Sequence, residues 1–190
     1  MHLKNEISHK YKEVTSAYLG NTYITYYIYF RKIYLEDKDL TIMKKYINYT
    51  IENINNNEVI AFDNHPVSYK IIDELYEAHT KISIISFSTD IIKYVAKYTN
   101  FNIIMPNGKV NNALHIITGP DVIQTFEKYH IRYYFATAPY MVDNALYQTL
   151  PEIAEIQLAI SNSTQELLIV NRPDTLKQQD RQDYSYIGKF

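Results

Sequence analysis

Residues 59–105 read VIAFDNHPVSYKIIDELYEAHTKISIISFSTDIIKYVAKYTNFNIIM, and the fold is decided there. Three apolar runs, at 59–62, 82–87 and 101–105, are short and rich in β-branched and aromatic residues, which reads as strands. Between them lie segments with helical periodicity, one carrying Ile71, Ile72, Leu75 and Tyr76, the next Ile91, Ile92 and Val95. Ser88 or Thr89 is placed to cap the second helix. Apolar strands alternating with helices of roughly 10–15 residues are the pattern of βαβ units. The expected fold is therefore α/β, a mainly parallel central sheet flanked by helices.

The pattern extends both ways. Upstream, Leu40, Met43, Ile47, Ile51 and Ile54 keep a helical period over 39–54, with Asp39 placed to cap it. Before that, residues 21–30 (NTYITYYIYF) read as an aromatic strand, suited either to a core or to an interface. Downstream, the turn Pro106-Asn107-Gly108 precedes a strand expected at 113–117. Gly119-Pro120 starts a helix, with proline in the first helical turn. Residues 131–136 and 166–170 read as strands on either side of a helix at 151–160. Beyond Arg172 the chain is polar, and a weakly ordered tail is expected. The expected organisation is an arm at 1–19, a domain at 20–177 and a tail at 178–190.

Composition narrows the function. The chain has 190 residues, a formal net charge of −2 and 46% hydrophobic residues, enough for a core without a bulk attraction to nucleic acid. Cysteine is absent, which removes disulfides, thiolate metal sites and cysteine nucleophiles. No apolar run reaches the ~18 residues of a membrane span, and the N-terminus has no signal-peptide core, so a cytoplasmic location is expected. His79, His115 and His130 show no metal-ligand spacing, and no metal or cofactor is expected. No glycine-rich phosphate loop follows any strand, which argues against a nucleotide-binding domain.

Parallel sheets place ligands at the carboxyl ends of their strands, so the loops after Phe62, Phe87, Met105, Ala136 and Val170 hold the candidate site. These loops resemble, in order, the segments of the effector-sensing domain of DeoR-type bacterial transcription regulators. Val59-Ile-Ala-Phe-Asp63-Asn-His-Pro-Val-Ser68 stands where that family has a strand running into Asp-x-Gly and paired hydroxyls. Ile84-Ile-Ser86-Phe-Ser88 stands at its Thr-Asn-Ser segment, and Asn107-Gly108 at its Gly-Gly turn. Ile117-Thr-Gly119-Pro120 matches the helix start, and Tyr133-Tyr-Phe-Ala-Thr137-Ala138 the strand that ends the series.

The resemblance implies a fold shared with ribose-5-phosphate isomerase, glucosamine-6-phosphate deaminase and CoA transferases. It also implies a pocket that binds a phosphorylated sugar or related metabolite without turnover, in a homo-oligomer. DNA contact would come only through a winged-helix domain, for which the residues before Val59 leave no room. The chain is then expected to be either a shortened regulator or a stand-alone sensor.

On this basis the ligand-binding candidates are Asp63, His65, Ser68, Ser86, Asn107, Gly108, Thr137, Gln157, Arg172 and Lys177. Several depart from the family pattern. His65, Pro66 and Val67 replace the glycine and the hydroxyls, and proline removes an amide donor. Gln157 stands where a lysine is usual, and Lys177 falls late after the last strand. Asn107 replaces a glycine, although asparagine can still adopt a left-handed conformation. Arg172 or Lys109 is placed to supply compensating charge, or else is an ordinary solvated cation. Asp63 reads either as a ligand group or as a cap. No catalytic residue is expected; an assembly-only domain and a sugar-phosphate isomerase or deaminase are the alternatives.

Overall fold

The computed structural model describes residues 37–78 and 80–189, with side chains from residue 44 onward. The arm expected at 1–19, the aromatic strand at 21–30 and His79 lie outside the described residues. Five strands form one parallel sheet: β1 (Val59–Phe62), β2 (Ser83–Ile85), β3 (Asn102–Ile104), β6 (Ile131–Ala136) and β9 (Thr164–Ile169), in the order β3-β2-β1-β6-β9. Register pairs Ile60 with Ile84 on one side and with Tyr133 on the other. Helices cover both faces, which is why the central strands read as unbroken apolar runs.

Side-chain alternation sends successive residues to opposite faces. Phe62 and Phe135 stack at 4.9 Å on one face, where Tyr49 of α1 (Asp37–Asn53) meets Tyr133 edge-on. Ala61, Ile85 and Tyr134 line the other face. They pack with Val122 and Phe126 of α4 (Pro120–Glu127) and with Ala154, Ile156 and Ile160 of α5 (Pro151–Asn162). Tyr133, Tyr134, Phe62 and Phe135 are all fully buried. Removing each from water contributes on the order of 2–3 kcal/mol.

Local chemistry fixes the helix starts. Helix α2 (Pro66–Glu77) begins on Pro66, with His65 as its cap, so Pro66, Val67 and Ser68 are helical and not loop. Helix α3 (Thr89–Tyr98) is capped by Ser88, whose Oγ accepts from the Ile91 amide at 3.3 Å. Asp39 lies inside the first turn of α1, which begins at Asp37, and is not a cap there.

The strand expected at 113–117 is displaced: β4 (Lys109–Asn111) and β5 (Ile116–Thr118) form a hairpin. Asn111 Oδ1 folds the turn between them by accepting from the Ala113 and Leu114 amides. Asn107, for which a left-handed backbone was open, does not adopt one: among the described residues the non-glycine residues with positive φ are Asn57, His115, Asp143 and Asn144. Its amide instead donates to Asp121 at 2.9 Å. Gly108 is needed for close approach, because a Cβ there would lie 2.5 Å from the Thr118 carbonyl oxygen.

The chain beyond Arg172 is also ordered. A second sheet runs β10-β7-β8-β11, from β7 (Tyr140–Val142), β8 (Ala145–Gln148), β10 (Asp174–Thr175) and β11 (Ser185–Lys189). A 3-10 segment, Gln178–Asp183, leads into β11. The segment is polar in composition, but Ile187 is buried in the main core and β11 pairs antiparallel with β8. Asp143 and Asn144, both with positive φ, close the β7–β8 hairpin.

Candidate functional site

The chain leaves β1 toward β2 and β3 on one side, then returns through β6 to β9 on the other, so strand order reverses between β1 and β6. Crevices at such reversals are where open α/β sheets bind ligands. Asp63 follows β1 directly at this point, and its carboxylate meets Gln157 of α5. Its Oδ1 accepts from the Tyr134 hydroxyl at 2.5 Å. Its Oδ2 accepts from the Thr137 amide at 2.7 Å, the Thr137 hydroxyl at 3.0 Å and Gln157 Nε2 at 2.7 Å. The loops after β1 and β6 are thus joined directly across the crevice.

Asp63 is 2% exposed. Burial raises its carboxyl above the ordinary value of 3.8, and the bonds from Tyr134, Thr137 and Gln157 oppose that shift without cancelling it. Burial and the neighbouring carboxylate push the Tyr134 hydroxyl well above 10.0. All four contacts to the carboxylate come from donors, an arrangement that favours the ionised form.

Gln157 Nε2 also donates to the Thr137 carbonyl at 2.9 Å, and its Oε1 accepts from Gln148 of β8 at 3.3 Å. The side chain at the position of the family lysine therefore ties Asp63 to the second sheet. Asn171, just past β9, brackets the next residue: Oδ1 accepts from the Ala138 amide and Nδ2 donates to its carbonyl.

The serines serve the backbone. Ser68 Oγ donates to the Asp63 carbonyl at 2.8 Å, and Ser86 Oγ to the Phe62 carbonyl at 2.7 Å. Both are buried. His65 Nδ1 accepts from the Val67 amide at 3.3 Å. Asn107 and Gly108 belong to the hairpin beside α4, while Arg172 and Lys177 are exposed on the chain after β9. Of the ten expected residues, Asp63, Thr137 and Gln157 bond one another, and Ser68 and Ser86 brace the same strand end.

A second polar group lies at the ends of β1 and β2, and the sequence pattern did not mark it. Tyr69 donates to Asn64 Oδ1 at 3.0 Å, and Asn64 Nδ2 to Asp90 Oδ2 at 3.2 Å. The same carboxylate stands 3.1 Å from His115 Nδ1. The backbone at His115 is left-handed, with φ 55. It is clamped there by the Thr89 amide and hydroxyl, both donating to its carbonyl. Asp90 sits in the first turn of α3, where a carboxylate is favoured by the helix dipole. That preference was the available sequence signal.

A surface cavity of about 280 Å³ opens beside Gly119, Pro120, Glu152 and Glu155, at the starts of α4 and α5. Another, of about 460 Å³, lies at the opposite end of the sheet against His130 and Ser163. Among the described residues no three His, Asp or Glu side chains gather as a metal site, and no helix is long and apolar enough to cross a membrane.

Comparison with known proteins places this architecture. The family model of the DeoR C terminal sensor domain matches residues 44–184. No curated protein matches the sequence. Among solved structures, ribose 5-phosphate isomerase A from Methanocaldococcus jannaschii is similar at 9% identity and TM-score 0.44, over 69% of this chain and 52% of that one. The same enzyme from Neisseria gonorrhoeae is similar at 13% identity and TM-score 0.43, over 69% and 54%. The delta subunit of eIF2B from Chaetomium thermophilum is similar at 9% identity and TM-score 0.46, over 68% and 45%. The chain spans about half the length of these structures. With the family match covering most of its length, from the helix before β1 to the approach to β11, the chain belongs to the DeoR C-terminal sensor-domain family.

Proposed function

We propose that this chain is the effector-sensing domain of a DeoR-type transcriptional regulator. It binds a sugar phosphate or a related small polar metabolite at the carboxyl ends of β1, β2 and β6, and releases it unchanged. It works in the cytoplasm as a homo-oligomer, and DNA contact belongs to a winged-helix region distinct from residues 37–190. Family membership supplies the sensing role.

The observation that carries the non-catalytic part is the state of Asp63. A general base must come within hydrogen-bond reach of the proton it removes. Asp63 is buried at the strand end with both oxygens occupied by Tyr134, Thr137 and Gln157. It holds two loops together and has no free face toward a substrate.

The test is a thermal-shift screen of the full chain against free and phosphorylated sugars, with each mixture followed by NMR. A ligand at 100 times its dissociation constant stabilises by about 2.7 kcal/mol, a rise of a few degrees in Tm. The expected result is a selective rise with every sugar recovered unaltered. Conversion of any sugar would restore the enzyme reading, and silence across the panel would leave an assembly-only domain.

A further inference from the structure

Asn107-Gly108 is the one Asn-Gly pair in the chain. The amide nitrogen that follows an asparagine can attack that asparagine's own Cγ. Here the bond from Gly108 N to Asn107 Cγ would form and the Cγ–Nδ2 bond would break. Nδ2 leaves as ammonia, taking the proton that Gly108 N gives up. Water then opens the five-membered succinimide at either carbonyl, leaving aspartate at 107 or an isoaspartate whose main chain runs through Cβ. Glycine favours the closure, because it has no Cβ to crowd the ring and few restrictions on its dihedrals.

The structure leaves the pair open to this chemistry. Pro106-Asn107-Gly108 lies between β3 and β4, outside any helix or strand, and Asn107 and Gly108 are exposed to the water that the second step consumes. Among the described residues the Gly108 amide donates in no turn or loop hydrogen bond. The Asn107 side chain is tethered through Nδ2, which donates to Asp121 Oδ2 at 2.9 Å, and that carboxylate is exposed as well. Water competes for such a contact, so the tether is weak against rotation of the side chain onto Gly108. Asn100 and Asn102 are equally exposed, but Phe101 and Ile103 follow them and crowd the attacking nitrogen.

The products fall at a junction with no slack. A Cβ on Gly108 would lie 2.5 Å from the Thr118 carbonyl oxygen and 2.8 Å from Val122 Cγ2. Isoaspartate adds a main-chain atom immediately before this residue and pushes it against Thr118 and Val122. Aspartate replaces the amide donor with a second carboxylate, so the contact to Asp121 turns from attraction to like-charge repulsion. Either product works against the seating of the β4–β5 hairpin on α4.

We infer that Asn107-Gly108 is a self-modification site, where spontaneous deamidation converts the tether to Asp121 into a charge that loosens the hairpin from α4. This does not depend on the sensing role. The full chain is aged in warm neutral buffer and digested with trypsin beside an unaged sample. Cleavage after Lys97 and Lys109 releases residues 98–109, with Asn100, Asn102 and Asn107 in one peptide. Fragmentation by mass spectrometry places the mass gain of exchanging NH2 for OH, and an isoaspartyl methyltransferase reports isoaspartate. Tm is read on the same samples, on fresh Asn107→Asp and on Asn107→Gln, whose ring would need six members and closes far more slowly.

The expected result is a gain at Asn107 ahead of Asn100 and Asn102, and none at this position in Asn107→Gln. Aged wild type and fresh Asn107→Asp should melt below fresh wild type, while Asn107→Gln keeps its own Tm through the same ageing. An intact Asn107 after ageing, or earlier conversion of Asn100 or Asn102, overturns the site. Conversion of Asn107 with Tm unchanged overturns the loosening of the hairpin. A fall in Tm shared by aged Asn107→Gln belongs to another residue and overturns the link between the two.

Discussion

Asp63 and Asp90 are the same chemical group at the carboxyl ends of adjacent strands, and the fold treats them differently. Asp63 follows β1 directly, is 2% exposed, and is held by a phenol, a backbone amide, a hydroxyl and a carboxamide. Asp90 lies two residues inside the helix after β2. Its side chain is 25% exposed, and its partners are one amide and one imidazole. Removal from water penalises the Asp63 charge and makes every donor around it necessary, because a buried donor left without an acceptor costs about 1–3 kcal/mol. Water shares the work at Asp90. The first carboxylate is thereby part of the framework, and the second stays partly open to solvent.

Asp63→Ala should have the largest effect on that contrast. It strands the Tyr134, Thr137 and Gln157 donors and should cost about 3–5 kcal/mol in urea denaturation. A loss below about 1 kcal/mol would mean the crevice takes in water and the two sites are alike.

Next comes Gly108→Ala in the hairpin beside the exposed site. Its Cβ would meet the Thr118 carbonyl at 2.5 Å and Val122 Cγ2 at 2.8 Å, and about 1–3 kcal/mol of destabilisation is expected. Unchanged stability would show that the hairpin moves freely against α4.

The charge itself can be isolated with Asp63→Asn, which keeps one oxygen for Thr137 and Gln157 and presents its amide to the Tyr134 oxygen. Because burial raises the folded carboxyl above 3.8, the proton binds more tightly in the folded state. The stabilisation that Asp63 contributes through this proton is complete below 3.8 and is lost as pH rises through the folded value. Wild type should therefore lose stability relative to Asp63→Asn as pH increases through that window, read from paired urea titrations. A constant difference would show an unshifted group.

Asp90→Ala should be the mildest change. It should cost less than about 1 kcal/mol, as for an exposed pair near a helix start. A larger loss would mark Asp90 as a second structural anchor.

Much of the fold was legible because burial on both faces of a sheet writes itself as apolar runs. VIAF at 59–62 and IRYYFA at 131–136 coincide with β1 and β6 as the structure has them. The second sheet was hidden for definite reasons. The pair Asp143-Asn144 is a turn signal of the kind that closes two-residue hairpins, but the strands beside it have only three and four residues. Ile187 is buried within an otherwise polar segment, too little for periodicity to register.

At the site, Asp63 could be found from its place after β1. Its partners Tyr134 and Gln157 lie 71 and 94 residues away, a distance that local patterns do not span. His115 was weighed only for metal spacing, whereas its contacts, the Thr89 clamp and the pairing with Asp90, both span an interval of about 25 residues.

The pairing of β11 with β8 bears on how the chain is made. Val142↔Ala145 and the rest of the β7–β8 hairpin close locally, as soon as both strands have been synthesised. The outer edge of β8, however, stays without its neighbour until residues 185–189 exist to pair Ser185 with Gln148 and Lys189 with Ala145. During that interval a strand edge with open amides and carbonyls faces the cell, the kind of edge that recruits another chain. Assembly of this domain therefore depends on a race between elongation and edge-to-edge association, and slowing synthesis between β8 and β11 would favour aggregation over folding.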